Sequence, residues 1–176
     1  TFNAAFVPIY TKLTLKKNEK NFTNTVFNFL LISLLALTLV AEIFMSGFVY
    51  LISPGFVNDP DKFKLATDLS RITFPFLLFV SLSSFFSAIL NSNGRFAVAA
   101  GVPIILNVFL IISIFYAHFL DHSYVKSMAI AVFLSGLALL IVLIIYSRNF
   151  FITKINFIIK FGDQLKKKKK KLLPSI

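Results

Sequence analysis

Four long stretches with almost no charged residues dominate the hydrophobic pattern of this chain. They cover residues 22–52, 72–93, 96–120 and 127–147, and the one acidic or basic side chain within them is Glu42. A helix needs about 20 apolar residues to cross roughly 30 Å of hydrocarbon, and each stretch meets that length. The pattern therefore predicts an all-α, polytopic transmembrane bundle with spans at about 26–52, 72–93, 96–120 and 127–147.

Composition supports a membrane environment and argues against several chemistries. Hydrophobic residues make up 57% of the chain and the mean hydropathy is +0.85, more apolar surface than a soluble domain of this size can bury. There is no cysteine, which excludes disulfides and thiolate metal sites. The sequence shows no nucleophile–base pairing, phosphate-binding glycine loop or paired carboxylates. We expect a transporter that carries no cofactor, not an enzyme.

Two histidines near the outer end of the third span are the one candidate for a metal site. His118 and His122 are four residues apart, and Asp121 is the sole further ligand candidate nearby. A metal pair needs at least one more ligand, so we interpret this region as a solvated loop and predict no metal.

The net charge of +11 is distributed in a way that predicts the orientation of the spans. Six of the 18 basic residues form the run 166–171, and most of the others lie between the apolar stretches. Such placement indicates loops that face anionic lipid headgroups, and it argues against nucleic acid as a partner. An even number of spans puts fourteen basic residues on one side, including Arg95, and the positive-inside bias makes that side cytoplasmic. The loops 53–71 and 121–126 then face outward.

The segments outside the spans predict how the chain is organised. Residues 1–25 are polar and basic, which predicts a cytoplasmic segment ahead of the first span. Residues 148–171 begin with an amphipathic stretch that predicts an interfacial helix and end in the lysine-rich linker. The apolar residues 172–176 indicate the start of a further span. We therefore interpret the chain as an internal piece of a longer protein.

Glu42 leaves two alternatives open. A carboxyl group at membrane depth usually faces a bundle interior or an aqueous cavity, which favours a proton- or cation-coupling site. The first apolar stretch is longer than one bilayer thickness, however, so the span can shift along its length. Glu42 would then lie near the outer interface.

The other polar and helix-breaking residues of the spans are interpreted as structural. Ser81, Ser84, Ser87 and Asn91 lie roughly on one helix face, where small hydroxyl residues permit close packing and hydrogen bonds between helices. We consider that role more plausible than lining a substrate path. Pro75 and Pro103 fall early in the second and third spans, where a first helical turn tolerates proline.

Five motifs resemble one family of membrane proteins when taken in their order and spacing. They are AFVPIY at 5–10, SPGF at 53–56, RITFPF at 71–76, AILNSNGRF at 88–96 and PIILN at 103–107. In that order they resemble the MurJ/MviN lipid II flippases of bacterial cell-wall synthesis, and the resemblance runs nearly from end to end. Each motif alone is weak, but five in register are specific.

This resemblance implies a fold and a set of structural positions. The fold would be the fourteen-helix multidrug/oligosaccharidyl-lipid/polysaccharide exporter fold, with the four spans as helices three to six of the N-terminal lobe. The cavity arginines of the family lie in helices outside this chain, so no substrate-contact residue is assigned. The matched positions are interpreted as structural: Pro8, Pro54, Gly55, Phe56, Phe74, Pro75, Asn91, Arg95, Pro103 and Asn107.

The resemblance also implies an activity. The parent protein would move a lipid-linked disaccharide-peptide across the bacterial inner membrane by alternating access, with anionic lipids and the remaining helices of the parent protein as partners. Exporters of other polyprenyl-linked sugars and cation-coupled drug antiporters of the same superfamily are the alternatives. A membrane-embedded glycosyltransferase or phosphatase, or a scaffold that recruits cell-wall enzymes, represents a different class.

Overall fold

The computed structural model describes residues 19–148 together with residues 7, 8, 11 and 150, and the part described is helical, without strands. The predicted linker after Phe150, the lysine run and most of the segment before Glu19 lie outside the described residues. The elements in chain order are α1 (Glu19–Ile43), α2 (Met45–Ile52), a 3₁₀ turn (Pro54–Asn58), α3 (Pro60–Thr73), α4 (Pro75–Ser92), α5 (Phe96–Ala100), α6 (Val102–Phe119) and α7 (Tyr124–Ser147).

Four helical segments are long and apolar enough to cross a membrane, which confirms the predicted all-α polytopic bundle. They are Phe22–Ile43, Pro60–Ser92, Phe96–Phe119 and Tyr124–Ser147. The first helix begins at Glu19, seven residues before the predicted start of the span. It continues almost without interruption into α2, since Phe44 still accepts the backbone hydrogen bond of Phe48 (3.1 Å).

The segment 53–71 differs from the loop that its polar composition suggested. It contains the 3₁₀ turn and most of α3, which runs into α4 through Phe74. Asp59 caps α3 by accepting a hydrogen bond from the backbone N–H of Lys62 (3.2 Å), and Pro60 occupies the first helical turn. A capping carboxylate followed by proline is a strong start signal, and it overrides the polar composition of the segment.

The same cap is reinforced by charge. The Lys62 ammonium lies 2.8 Å from a carboxylate oxygen of Asp59. The side-chain hydrogen bond from Lys62, followed by the backbone hydrogen bond of Lys62, lowers the pKa of Asp59 below its ordinary value. The first turn of α3 therefore holds an ionised cap at neutral pH.

The two prolines of the spans lie at helix junctions. Pro75 is the first residue of α4 and follows Phe74, which keeps right-handed helical dihedrals, so α3 and α4 form one long but interrupted helix. Pro103 lies in the first turn of α6, after a break at Gly101 that separates α6 from the short helix α5. Proline removes a backbone donor, and these junctions are where a helix can tolerate that loss.

The spans form a row in which neighbours along the chain are not always neighbours in space. Helix α1 packs on α4, α4 packs on α7, and α7 packs on α6. The second and fourth spans therefore lie side by side and run in the same direction, whereas the third span lies at the edge of the row. Helix α7 is apolar around its whole circumference, as expected for a helix with protein on two sides.

Aromatic rings fill the centre of the row. Phe85 and Phe86 are fully buried, and the ring centroid of Phe27 lies 5.5 Å and 5.7 Å from theirs. Leu143 brings α7 to the same cluster and is also fully buried. Because lipid tails are as apolar as these side chains, close packing is the main force that holds the helices together.

A glycine produces the closest contact between α4 and α7. A Cβ added at Gly136 would lie 2.6 Å from Cδ2 of Phe76 and 3.2 Å from Cδ2 of Phe79. The ring of Phe79 also meets the ring of Phe133 edge to face, with centroids 5.4 Å apart. The missing side chain of Gly136 thus leaves the space that the two phenylalanines of α4 occupy.

Candidate functional site

The inner turn between the second and third spans is a complete Schellman motif. Gly94 has φ +74° and lies just beyond the end of α4. Its backbone N–H donates to the Asn91 carbonyl (3.1 Å), and the N–H of Arg95 donates to the Leu90 carbonyl (2.9 Å). This pair of hydrogen bonds ends the helix and reverses the chain within a few residues. The backbone carbonyl of Asn91, not its side chain, fixes the turn.

Arg95 connects this turn to the end of the fourth span. Its guanidinium carbon lies 5.6 Å from the ring centroid of Phe150, within the range of a cation–π contact. Arg148 is exposed at the same end of the bundle. Two cationic side chains, Arg95 and Arg148, thus lie near the C-terminal end of the fourth span.

The turn between the third and fourth spans, which the charges predict to be the outer one, shares one of these two hydrogen bonds with the inner turn. Asp121 has φ +52°, and the backbone N–H of the next residue, His122, donates to the Ala117 carbonyl (3.0 Å). Nδ1 of His118 lies 3.2 Å from the hydroxyl of Tyr124, which joins the end of α6 to the start of α7. Both histidines are exposed, and the described residues contain no group of three side chains suited to holding a metal ion.

Glu42 lies where α1 approaches α3. The side chain is half-buried, and its Oε1 is buried without a hydrogen-bond partner in the described part of the chain. The positive charge of Arg71 acts on this carboxyl group. The two side chains do not form an ion pair, since the ion pair found in the described residues is that of Lys62 with Asp59.

The distance of Glu42 and Arg71 from the far end of the second span follows from a count of residues. Arg71 precedes Arg95 by 24 residues, or about 36 Å at helical rise, which is close to one hydrocarbon thickness. The two arginines therefore lie about one hydrocarbon thickness apart, and Glu42 lies at the Arg71 end of the second span. A coupling role for Glu42 stays a prediction.

The serines of the second span differ from expectation in their hydrogen bonds. Ser83 and Ser87 are buried, and Ser81 and Ser84 are half-buried, which agrees with a packing role. The Ser84 hydroxyl, however, donates to the Val80 carbonyl of its own helix (3.1 Å). Hydroxyl groups often bond back to the preceding turn, and this bond takes the place of one between helices.

In the described residues, buried side-chain oxygens without partners occur near both ends of the first span, and in the middle and near the end of the second. Besides Glu42, they belong to Asn24, Ser83 and Asn91 of the described residues. A buried polar atom normally finds a partner in protein or ordered water. These atoms thus mark where further groups would complete the packing.

The residues matched to family motifs do not converge on one site. Pro54, Gly55 and Phe56 lie in the exposed 3₁₀ turn between α2 and α3, whereas Asn91 and Arg95 lie at the inner turn. Pro8, Pro103 and Asn107 are exposed, and Phe74 and Pro75 are half-buried at the junction of α3 and α4. Their distribution fits structural roles at helix ends and junctions.

Two positions with clear structural roles were not found from the sequence. Gly136 follows Ser135 within an otherwise apolar span, and this interruption was the available signal. Arg71 was read as a loop charge because its helix was not predicted. The fold and these features define a class: a polytopic helical membrane protein, built from spans that are interrupted at proline and glycine.

Comparison with known proteins identifies the family. The family profile described as "Lipid II flippase MurJ" matches residues 1–176. The chain is 39% identical over 145 residues to the probable lipid II flippase MurJ of Buchnera aphidicola subsp. Acyrthosiphon pisum, covering 80% of this chain and 28% of that protein. It is 42% identical over 112 residues to the probable lipid II flippase MurJ of Rickettsia prowazekii, covering 62% and 22%.

A third relative agrees with these two. The lipid II flippase MurJ of Burkholderia cenocepacia is 31% identical over 120 residues, which cover 66% of this chain and 23% of that protein. The chain belongs to the MurJ lipid II flippase family. It spans between about a fifth and three-tenths of the length of these relatives. Its four candidate spans and its family make it part of a multi-pass protein of the bacterial inner membrane.

Proposed function

We propose that this chain forms part of a flippase that moves lipid II, the lipid-linked disaccharide-peptide precursor of peptidoglycan, from the inner to the outer leaflet. The observation that carries the proposal is the family match over residues 1–176, together with four helices that are long enough to cross the membrane in the order the resemblance implied. No bond is made or broken in this transport. The protein instead provides a path that opens to one side and then to the other.

Within that protein, the four spans would support one lobe and leave contact with the substrate headgroup to other helices. Packing supports this division of labour: α4 and α7 are the most buried of the long helices, and their contact is made by Phe76, Phe79, Phe133 and Gly136. Such a tightly packed pair can move as one body while the lobe rocks. The polar headgroup is the costly part to move, and a hydrated cavity elsewhere in the protein would lower that cost.

The inner end of the bundle supports a second element of the proposal, contact with anionic lipid. Arg95 and Arg148 are exposed there, and the lysine run follows in the sequence. Each basic residue close to an anionic membrane surface adds about 1 kcal/mol of attraction. These residues would hold the inner end of the lobe at the headgroup layer during transport.

Depletion of the parent gene tests the proposed activity. Spheroplasts of depleted cells would be treated with a membrane-impermeant enzyme that cleaves the pyrophosphate of lipid II, and the cleaved fraction would be compared with that of cells that retain the gene. We expect the cleaved fraction to fall severalfold while total lipid II rises, and re-expression to restore both. An unchanged cleaved fraction with a normal wall would exclude lipid II transport. Accumulation of another polyprenyl-linked sugar would favour the related exporters.

A further inference from the structure

A helical hairpin at the outer end of the bundle extends beyond the fourth span. This outer hairpin comprises residues 45–73, in which α2, the 3₁₀ turn and α3 pack against one another. The position of this hairpin along the bundle axis follows from two residues of α4, Phe76 and Phe79. They contact Phe133 and Gly136 of the parallel helix α7. Counting back from these contacts places the first residue of α7, Tyr124, level with some point between residues 64 and 70. The start of α3 at Pro60 therefore lies about 6–15 Å beyond Tyr124, the first residue of α7.

The two arms of the outer hairpin have opposite chemistry. Helix α2 contains no charged residue, whereas the first two turns of α3 carry Asp61, Lys62 and Lys64, all exposed. Exposed apolar side chains cover the first arm and the turn: Phe48, Tyr50, Leu51, Ile52, Phe56 and Val57. Leu51 and Ile52 are 74% and 80% exposed, which is unusual for large aliphatic side chains in contact with water.

The apolar arm is continuous with the exposed apolar surface of the first span. Val40, Ile43 and Phe44 are exposed on the upper part of the first span, and Phe48 extends the same surface into α2. Helices α1 and α2 together, from Glu19 to Ile52, measure about 51 Å at helical rise, which exceeds the hydrocarbon and also the whole bilayer with its headgroups. The end of α2 therefore reaches the lipid–water boundary or passes it.

We propose that the outer hairpin is an interfacial anchor whose apolar arm lies among the lipids of the leaflet at that end of the bundle, with the charged start of α3 facing water. An element with one apolar and one charged surface favours the boundary between lipid and water, where each surface meets the solvent that suits it. Tyr50 supplies the type of amphipathic ring that prefers the headgroup layer. The partner is the phospholipid surface itself, which the orientation of charges predicts to be the outer leaflet.

Site-directed spin labelling of the full-length parent protein in lipid nanodiscs tests this inference. After removal of any native cysteines, nitroxide labels would be placed by Leu51→Cys on the apolar arm and by Lys64→Cys on the charged arm. Leu37→Cys, exposed on the first span, supplies the reference for a lipid-facing site. Collision rates with oxygen, which concentrates in lipid, and with a water-soluble nickel chelate report the depth of each label.

We expect the Leu51 label to favour oxygen over the nickel chelate, as the Leu37 label does, and the Lys64 label to show the reverse ratio. Ile52→Cys should repeat the result for Leu51, which guards against a local effect of one label. A Leu51 label that prefers the nickel chelate would place the arm in water and overturn the inference. Low collision rates with both reagents would overturn it as well, because they would show that another part of the parent protein covers the arm.

Discussion

Two residues with left-handed backbone conformation end two of the spans, and they differ in how well they suit that conformation. Gly94 at the inner turn has no side chain that opposes a positive φ. Asp121 at the outer turn has a β-carbon that does, although its short polar side chain makes it one of the more tolerant residues. Among the described residues, positive φ occurs at these two positions alone.

The contrast predicts substitutions with opposite effects. Asp121→Gly should stabilise the parent protein by up to about 1 kcal/mol, because it relieves the backbone at the end of α6. Gly94→Ala should destabilise it by about 1–2 kcal/mol for the same reason in reverse, since nothing else lies within 4 Å of the added carbon. Reversible unfolding in mixed micelles measures both. Effects of equal sign would contradict the backbone explanation.

At the scale of helices, the contact between α4 and α7 depends on one missing side chain. Phe76 and Phe79 occupy the space beside Gly136, and no sequence pattern pairs these residues because they lie about 60 positions apart. The pattern did identify each helix separately. The pairing arises from the shape of the surfaces, which becomes visible only when the two helices are placed together.

Gly136→Ala should therefore destabilise the parent protein by about 1–3 kcal/mol, the usual range for overpacking a well-packed interior. The added methyl group would lie 2.6 Å from the Phe76 ring, so the ring or the helix must move. Gly47→Ala in α2 is the matched control, because no atom lies within 4 Å of its added carbon. The control should be neutral or stabilising by about 0.5–1 kcal/mol. Equal unfolding free energies for the two variants would show that the space beside Gly136 is not closely packed.

The helices themselves were predictable to different degrees. The absence of charge located the four spans. The helix from Pro60 to Thr73 was not predicted, because its polar residues were taken as a loop, although Asp59 and Pro60 form a recognisable start signal. The candidate site was harder to predict from the sequence. The proximity of Arg71 to Glu42 depends on how two spans pack, and the unpartnered oxygens depend on which groups surround them.

At the scale of the whole molecule, the distribution of charge predicts which end of the bundle faces the cytoplasm. The described part of the chain offers an exposed basic side chain at each end, Lys126 near the start of α7 and Arg148 after its end. They lie 22 residues apart along the fourth span, or about 33 Å at helical rise. The chain has no cysteine of its own, which makes each a clean position for a label.

Labelling of intact cells with a membrane-impermeant maleimide should therefore distinguish the two ends. In a parent protein stripped of any other cysteines, Lys126→Cys should react without permeabilisation, because the positive-inside bias places it outside. Arg148→Cys should react only after the membrane is permeabilised. The reverse pattern would invert the bundle, and reaction of both in intact cells would show that the fourth span does not cross the membrane.

The order of the helices in space also constrains the order in which the bundle can assemble. The second span packs on the fourth span, so the face of α4 that carries Phe76 and Phe79 gains these contacts only when α7 has been synthesised and inserted. Until α7 is inserted, the first three of these spans lie in the bilayer as a loosely joined set, with lipid in the place of α7. Of these four spans, the last to be synthesised is therefore the one that packs on both the second and the third, and the space beside Gly136 determines where it docks.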